Sequence, residues 1–323
     1  MFNLHTEIID SIREDLQRVE DMLRVLPMID YPVVEEAIGH LLDSGGKRIR
    51  PTLALLTSRL YPADPDKVIS LAAAVEMLHT ATLVHDDVID GSLLRRGSPT
   101  LNAMWTPGAT ILVGDYLFSR AADLASRTDN VRVMQIFSRT LMTIVTGELS
   151  QLFDAGSRVT RERYERRIYA KTASMFELAT EAAAVLIRAP EDQIGVLRDF
   201  GRDLGMAFQI VDDVLDFTGD AAEVGKPVGS DLRHGIVTLP VLHFLETHPE
   251  DDGVAALLGN GHRDEQAVRR IVDAIRRSNA IAASLDEARE HARRGQRALS
   301  YLPESSARQA MWDLAEYVLT RTN

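Results

Sequence analysis

The 323-residue sequence has no cysteine, which excludes disulfides and thiolate metal sites and makes a reducing cytoplasm the expected compartment. No apolar run reaches the roughly 18–20 residues that a bilayer-spanning helix needs, so no transmembrane segment is expected. The N-terminal Met1-Phe-Asn-Leu-His-Thr-Glu7 lacks the basic-then-apolar order of a signal peptide. Also missing are strand-period segments of useful length, a G-x-G-x-x-G fingerprint, an internal linker and any low-complexity tract. Basic excess is absent too. The formal net charge is −12, which argues against a nucleic-acid surface and against docking on anionic lipid by bulk charge. What remains is ordinary for a soluble globular chain, 45% hydrophobic and 26% charged, enough to bury a real core.

Two acidic stretches stand out. Thr80-Ala-Thr-Leu-Val-His-Asp-Asp-Val-Ile-Asp90 places Asp86, Asp87 and Asp90 directly after an apolar helical run, and Phe208-Gln-Ile-Val-Asp-Asp-Val-Leu-Asp-Phe217 repeats the spacing with Asp212, Asp213 and Asp216. On a helix the first and third carboxylates of each set are one turn apart on one face. A single D-D-x-x-D reads equally well as a solvated helix end; two copies embedded in apolar sequence need compensating cations, or their pKa values would rise. With no thiolate, and with His85 lacking a partner at zinc-site spacing, the donors are all oxygen. That favours a hard ion such as Mg²⁺, which takes one or two carboxylates and completes its shell with water and phosphate. A diphosphate held by Mg²⁺ between two acidic helix faces is the expectation.

Other positions fit that chemistry. An amphipathic helix over residues 4–26 is expected, with Ile8, Ile9, Ile12, Leu16, Val19 and Leu23 on one stripe, and a second, over 33–42, stops at Asp43-Ser44-Gly45-Gly46. Lys47-Arg-Ile-Arg-Pro51 follows, a helix-end charge cluster or a phosphate clamp. Helices over 52–60 and 65–90 come next, the latter dense in small apolar residues with His79 in that face, a place where a satisfied core histidine is the commoner meaning. Arg95 and Arg96 lie in the loop beyond Gly91, close to the first triad. Helices are expected over 109–127, 131–153 and 160–189; the last carries Lys171-Thr172 in an apolar run, where a lysine calls for an anion. The helix over 192–217 ends in the second triad, and Gly219 to Gly235 forms a loop that brings Lys226 onto phosphate. A helix over 237–248 follows, and residues 250–323 read as packing. The expected architecture is all-α, one domain over residues 1–323 with ten or more helices.

With these motifs in order from about residue 40 to 240, the sequence resembles the trans-type polyprenyl diphosphate synthases, in particular the long-chain group. The resemblance implies the isoprenoid synthase-like bundle around a central cavity. It implies three Mg²⁺ and an allylic diphosphate held by Asp86, Asp87, Asp90, Asp212, Asp213 and Asp216. Isopentenyl diphosphate would then be bound by Lys47, Arg50, His79 and Arg96, and the allylic diphosphate by Arg95, Lys171, Thr172, Gln209 and Lys226. One departure is Ile236 in Gly235-Ile-Val-Thr-Leu-Pro240, where the family often has lysine; Arg233 or His234 are the candidate stand-ins. The implied reaction is ionisation, condensation and elimination, with no side-chain nucleophile and with the departing diphosphate taking the proton. Small Ala81 and Thr82, upstream of Asp86, imply a deep tunnel and a C30–C50 product. A floor at Met77 or Leu78 would instead give C20, and Phe137 and Leu141 are deeper candidates. The family also implies a homodimer, with transient membrane contact for product release. Rival readings are a class I terpene cyclase, a two-metal diphosphate hydrolase, and a non-catalytic partner subunit of a hetero-oligomeric synthase.

Overall fold

The computed structural model describes residues 6–43, 46–95, 97–153, 160–219, 228–249, 254 and 265–321. The described chain is helical almost throughout: α1 (Thr6–Leu23), α2 (Pro32–Asp43), α3 (Ile49–Ser58), α4 (Pro65–Ile89), α5 (Leu101–Met104), α6 (Pro107–Ser126), α7 (Val131–Phe153), α8 (Arg161–Ile168), α9 (Ser174–Leu186), α10 (Glu191–Thr218), α11 (Ser230–Arg233), α12 (Leu239–Thr247), α13 (Glu265–Arg277), α14 (Ala280–Leu299) and α15 (Ser306–Thr320). A two-strand hairpin, β1 (Leu94–Arg95) with β2 (Ser98–Pro99), pairs antiparallel in the register Leu94↔Pro99. The all-α expectation holds. The expected helix over 160–189 is broken by a π turn, Tyr169–Ala173, at Lys171 and Thr172. Wide turns of this kind cost regular hydrogen bonding and are frequent at functional sites.

The chain forms two compact units, Met1–Thr140 with Met175–Gly201 and Ala298–Leu314, and Leu141–Ser174 with Arg202–Arg297 and Ala315–Asn323. In the first, α4 is the central element, packed chiefly on α6, α3 and α1. Its start is fixed by Asp64, whose side chain accepts from the Asp66 amide, and by Pro65 in the first turn. By length and composition α4 is apolar enough to cross a membrane, contrary to expectation, but 83% of its most apolar stretch is buried inside the protein. It is a core helix, with Leu71, Ala72, Ala73, Ala74, Val75, Met77 and Leu78 fully enclosed.

Arg48 shows how the first unit handles an interior cation. It sits in left-handed backbone at φ 48° just before α3. Its guanidinium reaches Glu20 at 2.5 Å, Glu76 at 2.8 Å and the Leu42 carbonyl at 2.9 Å. Burial works against its charge, and Glu76 and Glu20 more than restore it. Of the cations in Lys47-Arg-Ile-Arg50, this one belongs to the scaffold. The second unit's core gathers Tyr164, Ile168, Ile210, Phe217, Leu239, Phe244 and Ile275.

Candidate active site

In the first unit the acidic triad occupies the last turn of α4. The helix ends at Asp90, with Gly91 at φ 62°. The Ser92 amide donates to the Asp87 carbonyl at 2.9 Å and the Gly91 amide to the Val88 carbonyl at 3.2 Å, a Schellman closure. Glycine is required there because a side chain resists that backbone. Asp86 and Asp87 are buried and Asp90 is exposed. The hairpin turns Arg95 back onto Asp87, its Nε and Nη2 both donating to Oδ1 at 3.0 and 2.8 Å. In this structure Arg95 thus meets the middle carboxylate of the first triad. Arg96 lies outside the described residues.

The remaining first-unit positions are placed as follows. Lys47 lies between α2 and α3 and is half-buried. Arg50 is in the first turn of α3, which starts three residues earlier than expected, and its guanidinium lies 5.0 Å over the Phe176 ring. His79 is half-buried on α4 rather than enclosed. His85 lies against α6, 3.1 Å from the Ile111 carbonyl and 3.4 Å from Asp115. A Cβ at Gly114 would come within 2.2 Å of its ring, so only glycine admits it there. Met77, Leu78, Ala81, Thr82 and Phe137 are all buried, and the Thr82 hydroxyl donates to the His79 carbonyl at 2.7 Å.

The second unit brings its own set together. Asp212, exposed, accepts from Arg321 at 3.1 Å. Arg321 is itself buried, stacked 3.6 Å over Phe208 and donating to the Phe208 carbonyl. Asp213 is enclosed, accepting from Tyr164 Oη at 2.8 Å and from Gln209 Nε2 at 2.8 Å. Gln209 in turn accepts from Thr172 Oγ1 at 2.6 Å. Burial, and then the charge of Asp231, push the Asp213 carboxyl up to about 8, against the pull of its two donors. Burial likewise raises the Tyr164 phenol, with Asp213 adding to it. Asp216 accepts from the amides of Ser230 and Asp231 at 3.0 and 3.1 Å, holding the first turn of α11. Lys171 is about a third exposed and meets Glu148 at 3.1 Å, the anion its position called for. Gly147 lets α7 approach the π turn, since a Cβ there would lie 2.5 Å from that of Ala170.

The two candidate stand-ins for lysine at 236 have partners within the protein. Arg233 pairs with Glu265 and donates to the Val228 carbonyl; His234 is exposed and contacts the Ser230 carbonyl. Lys226 lies outside the described residues. Sequence reasoning missed Tyr164 and Arg321. Tyr164 is a lone aromatic in Arg161-Glu-Arg-Tyr-Glu-Arg-Arg167, a signal available in principle. Arg321 has no local pattern and meets Asp212 across 109 positions of chain.

Among the described residues no three acidic or imidazole side chains converge as a ready-made metal cage. The donor set is carboxylate oxygen only. That fits Mg²⁺, whose shell is completed by water and phosphate rather than by protein alone. Two oxygen-donor triads on all-helical scaffolds, met by arginine side chains and backbone amides, define a candidate diphosphate-binding protein.

The Polyprenyl synthetase family model matches residues 31–275, and the chain belongs to that family of prenyltransferases. It is 38% identical over 312 residues to heptaprenyl diphosphate synthase component 2 of Geobacillus stearothermophilus, covering 95% of this chain and 96% of that one. A polyprenyl synthase from Caulobacter crescentus, solved with calcium and isoprenyl diphosphate, superposes with a TM-score of 0.92 at 36% identity, covering 98% and 97% of the two chains. A decaprenyl diphosphate synthase from Rhodobacter capsulatus gives 0.91 at 37%, covering 99% of each. Relatives named for long products and for short ones lie at comparable identity, 38% and 36%.

Proposed function

We propose that this protein condenses isopentenyl diphosphate with an allylic diphosphate primer (geranyl, farnesyl or geranylgeranyl diphosphate) to give an all-trans polyprenyl diphosphate of C30–C50, using Mg²⁺. The observation that carries the proposal is the repeated triad: two sets of carboxylates at one spacing, each with its middle member clamped by the protein. Family membership over residues 31–275 supports treating the chain as one functional domain.

In this reading Asp86, Asp87, Asp90, Asp212, Asp213 and Asp216 form the metal-binding set. Bound Mg²⁺ would neutralise the diphosphate and stabilise the charge that develops as it leaves. Lys171, Thr172, Gln209, Arg95 and Lys226 orient the allylic diphosphate; Lys47, Arg50, His79 and Arg96 hold isopentenyl diphosphate. The allylic C–O bond breaks, the isopentenyl double bond forms the new C–C bond, and the proton lost from the adduct goes to the departing diphosphate. The apolar wall upstream of Asp86 keeps water from the cation. Thr82 supports a long product, because its hydroxyl is turned into its own helix and what it presents is small and apolar.

A cysteine-free composition supports a cytoplasmic site. Homodimerisation is supported by a row of exposed apolar side chains on α7, Met142, Val145, Leu149, Leu152 and Phe153.

The test is incubation of the purified chain with Mg²⁺, labelled isopentenyl diphosphate and farnesyl diphosphate, sizing the products after dephosphorylation. Products of C30 or longer that vanish with EDTA are expected, and Ala81→Phe should shorten them. A wild-type product stopping at C20 would place the floor at Met77 or Leu78. No product with any primer would favour a subunit that needs a partner.

A further inference from the structure

Tyr164 is 1% exposed and packed in the second unit's core, where a phenylalanine would serve the packing equally well. Its hydroxyl is therefore the feature to explain. It donates at 2.8 Å to Asp213 Oδ2, while Gln209, one turn earlier on α10, donates at 2.8 Å to Oδ1 of the same carboxyl. The other end of the Gln209 amide accepts from Thr172 in the π turn. A continuous chain of hydrogen bonds thus runs Thr172–Gln209–Asp213–Tyr164. It ties α8, the π turn and the acidic end of α10 to one another through a single buried carboxyl.

We propose that Tyr164 is a positioning residue for the second acidic triad. Its hydroxyl, acting through Asp213, fixes the face of α10 on which the neighbouring Asp212 stands, and it keeps Thr172 and Lys171 in register with that face. The inference rests on the diphosphate-Mg²⁺ reading of the triad. The geometry favours it over a merely satisfied core tyrosine because the other three members of the chain, Asp213, Gln209 and Thr172, belong to the proposed site. Asp213 is adjacent in sequence to Asp212, and Thr172 is adjacent to Lys171. A core carboxyl needing only satisfaction could take donors from anywhere; one of the two donors here, Gln209, is itself bonded to Thr172. With Tyr164 removed, Asp213 keeps one side-chain donor and is free to turn about it. Buried polar networks of this kind tolerate incomplete satisfaction poorly.

The experiment compares wild type, Tyr164→Phe and Ile168→Val, the last thinning the same core without touching the hydrogen bonds. Mn²⁺ binding in the presence of inorganic diphosphate is followed by electron paramagnetic resonance, and the Mg²⁺ dependence of condensation is measured alongside. Loss of one hydrogen bond to a carboxyl predicts a Mn²⁺ affinity about tenfold or more weaker in Tyr164→Phe. It also predicts a Mg²⁺ requirement shifted upward to match, while Ile168→Val lowers the melting temperature and leaves both unchanged. Wild-type Mn²⁺ affinity and Mg²⁺ dependence in Tyr164→Phe would overturn the proposal, as would an equal weakening in Ile168→Val. Wild type without any condensation would instead overturn the functional reading, so the two failures are separable.

Discussion

Asp87 and Asp213 hold the same place in two copies of one spacing, and the protein restrains them by different means. Asp87 is met by a cation, Arg95, delivered from a hairpin only eight positions further along. Asp213 is met by neutral donors, Tyr164 and Gln209, and has the charge of Asp231 nearby as well. Their neighbours differ too. Asp90 stands exposed at a helix end closed by a glycine turn, whereas Asp216 is occupied by the amides that open α11. Asp212 shares its exposed carboxylate with the buried Arg321. The middle carboxylate of the first triad is thus met by a local cation, and that of the second is built into a wider polar network. A repeated motif does not imply a repeated environment.

The largest expected effect probes what the two triads have in common. Asp86→Ala and Asp212→Ala should each reduce condensation at least about a thousandfold, as expected when electrostatic stabilisation of a leaving group is lost. Near-wild-type rates in either variant would break the pairing of the two sets. A smaller effect separates the restraints. Arg95→Ala leaves a buried carboxylate without its cation and should cost about 2–3 kcal/mol, against about 1 kcal/mol for Tyr164→Phe, measured by urea unfolding. Reversal of that order would remove the distinction between charged and neutral clamps.

A further comparison concerns pH. In the metal-free protein the Asp213 carboxyl sits at about 8, above its ordinary 3.8. Its contribution to stability is therefore full below the ordinary carboxylate range and is lost as pH rises through about 8. Asp213→Asn cannot ionise, so the melting temperature of wild type should fall more steeply than that of the variant between about pH 5 and 8.5. Parallel curves would show that Asp213 does not titrate in this window.

Much of this was legible in the sequence. The helix of Asp86 runs as its apolar run and Gly91 indicate, and the two triads end their helices as their spacing suggests. Lys171 has its anion, since a lysine in an apolar run must find one. Other features were not legible. A π turn differs from a regular helix by one hydrogen-bond offset and leaves no periodic mark on residues 160–189. In Lys47-Arg-Ile-Arg50 nothing local says that Arg48 turns inward, because Glu20 and Glu76 come from two distant helices. The C-terminal region read as packing alone, yet Arg321 closes on Asp212.

By itself, the sequence determined the all-helical class, the two oxygen-donor triads, the absence of thiolate chemistry and the family. Each of these is a property of residue type and local spacing, set by helix periodicity and side-chain chemistry. Only the tertiary structure decided which partner each carboxylate has: Arg95 for Asp87, Tyr164 and Gln209 for Asp213, the α11 amides for Asp216 and Arg321 for Asp212. Such pairings depend on which distant segments are packed together when burial makes an unpaired polar group too costly to leave.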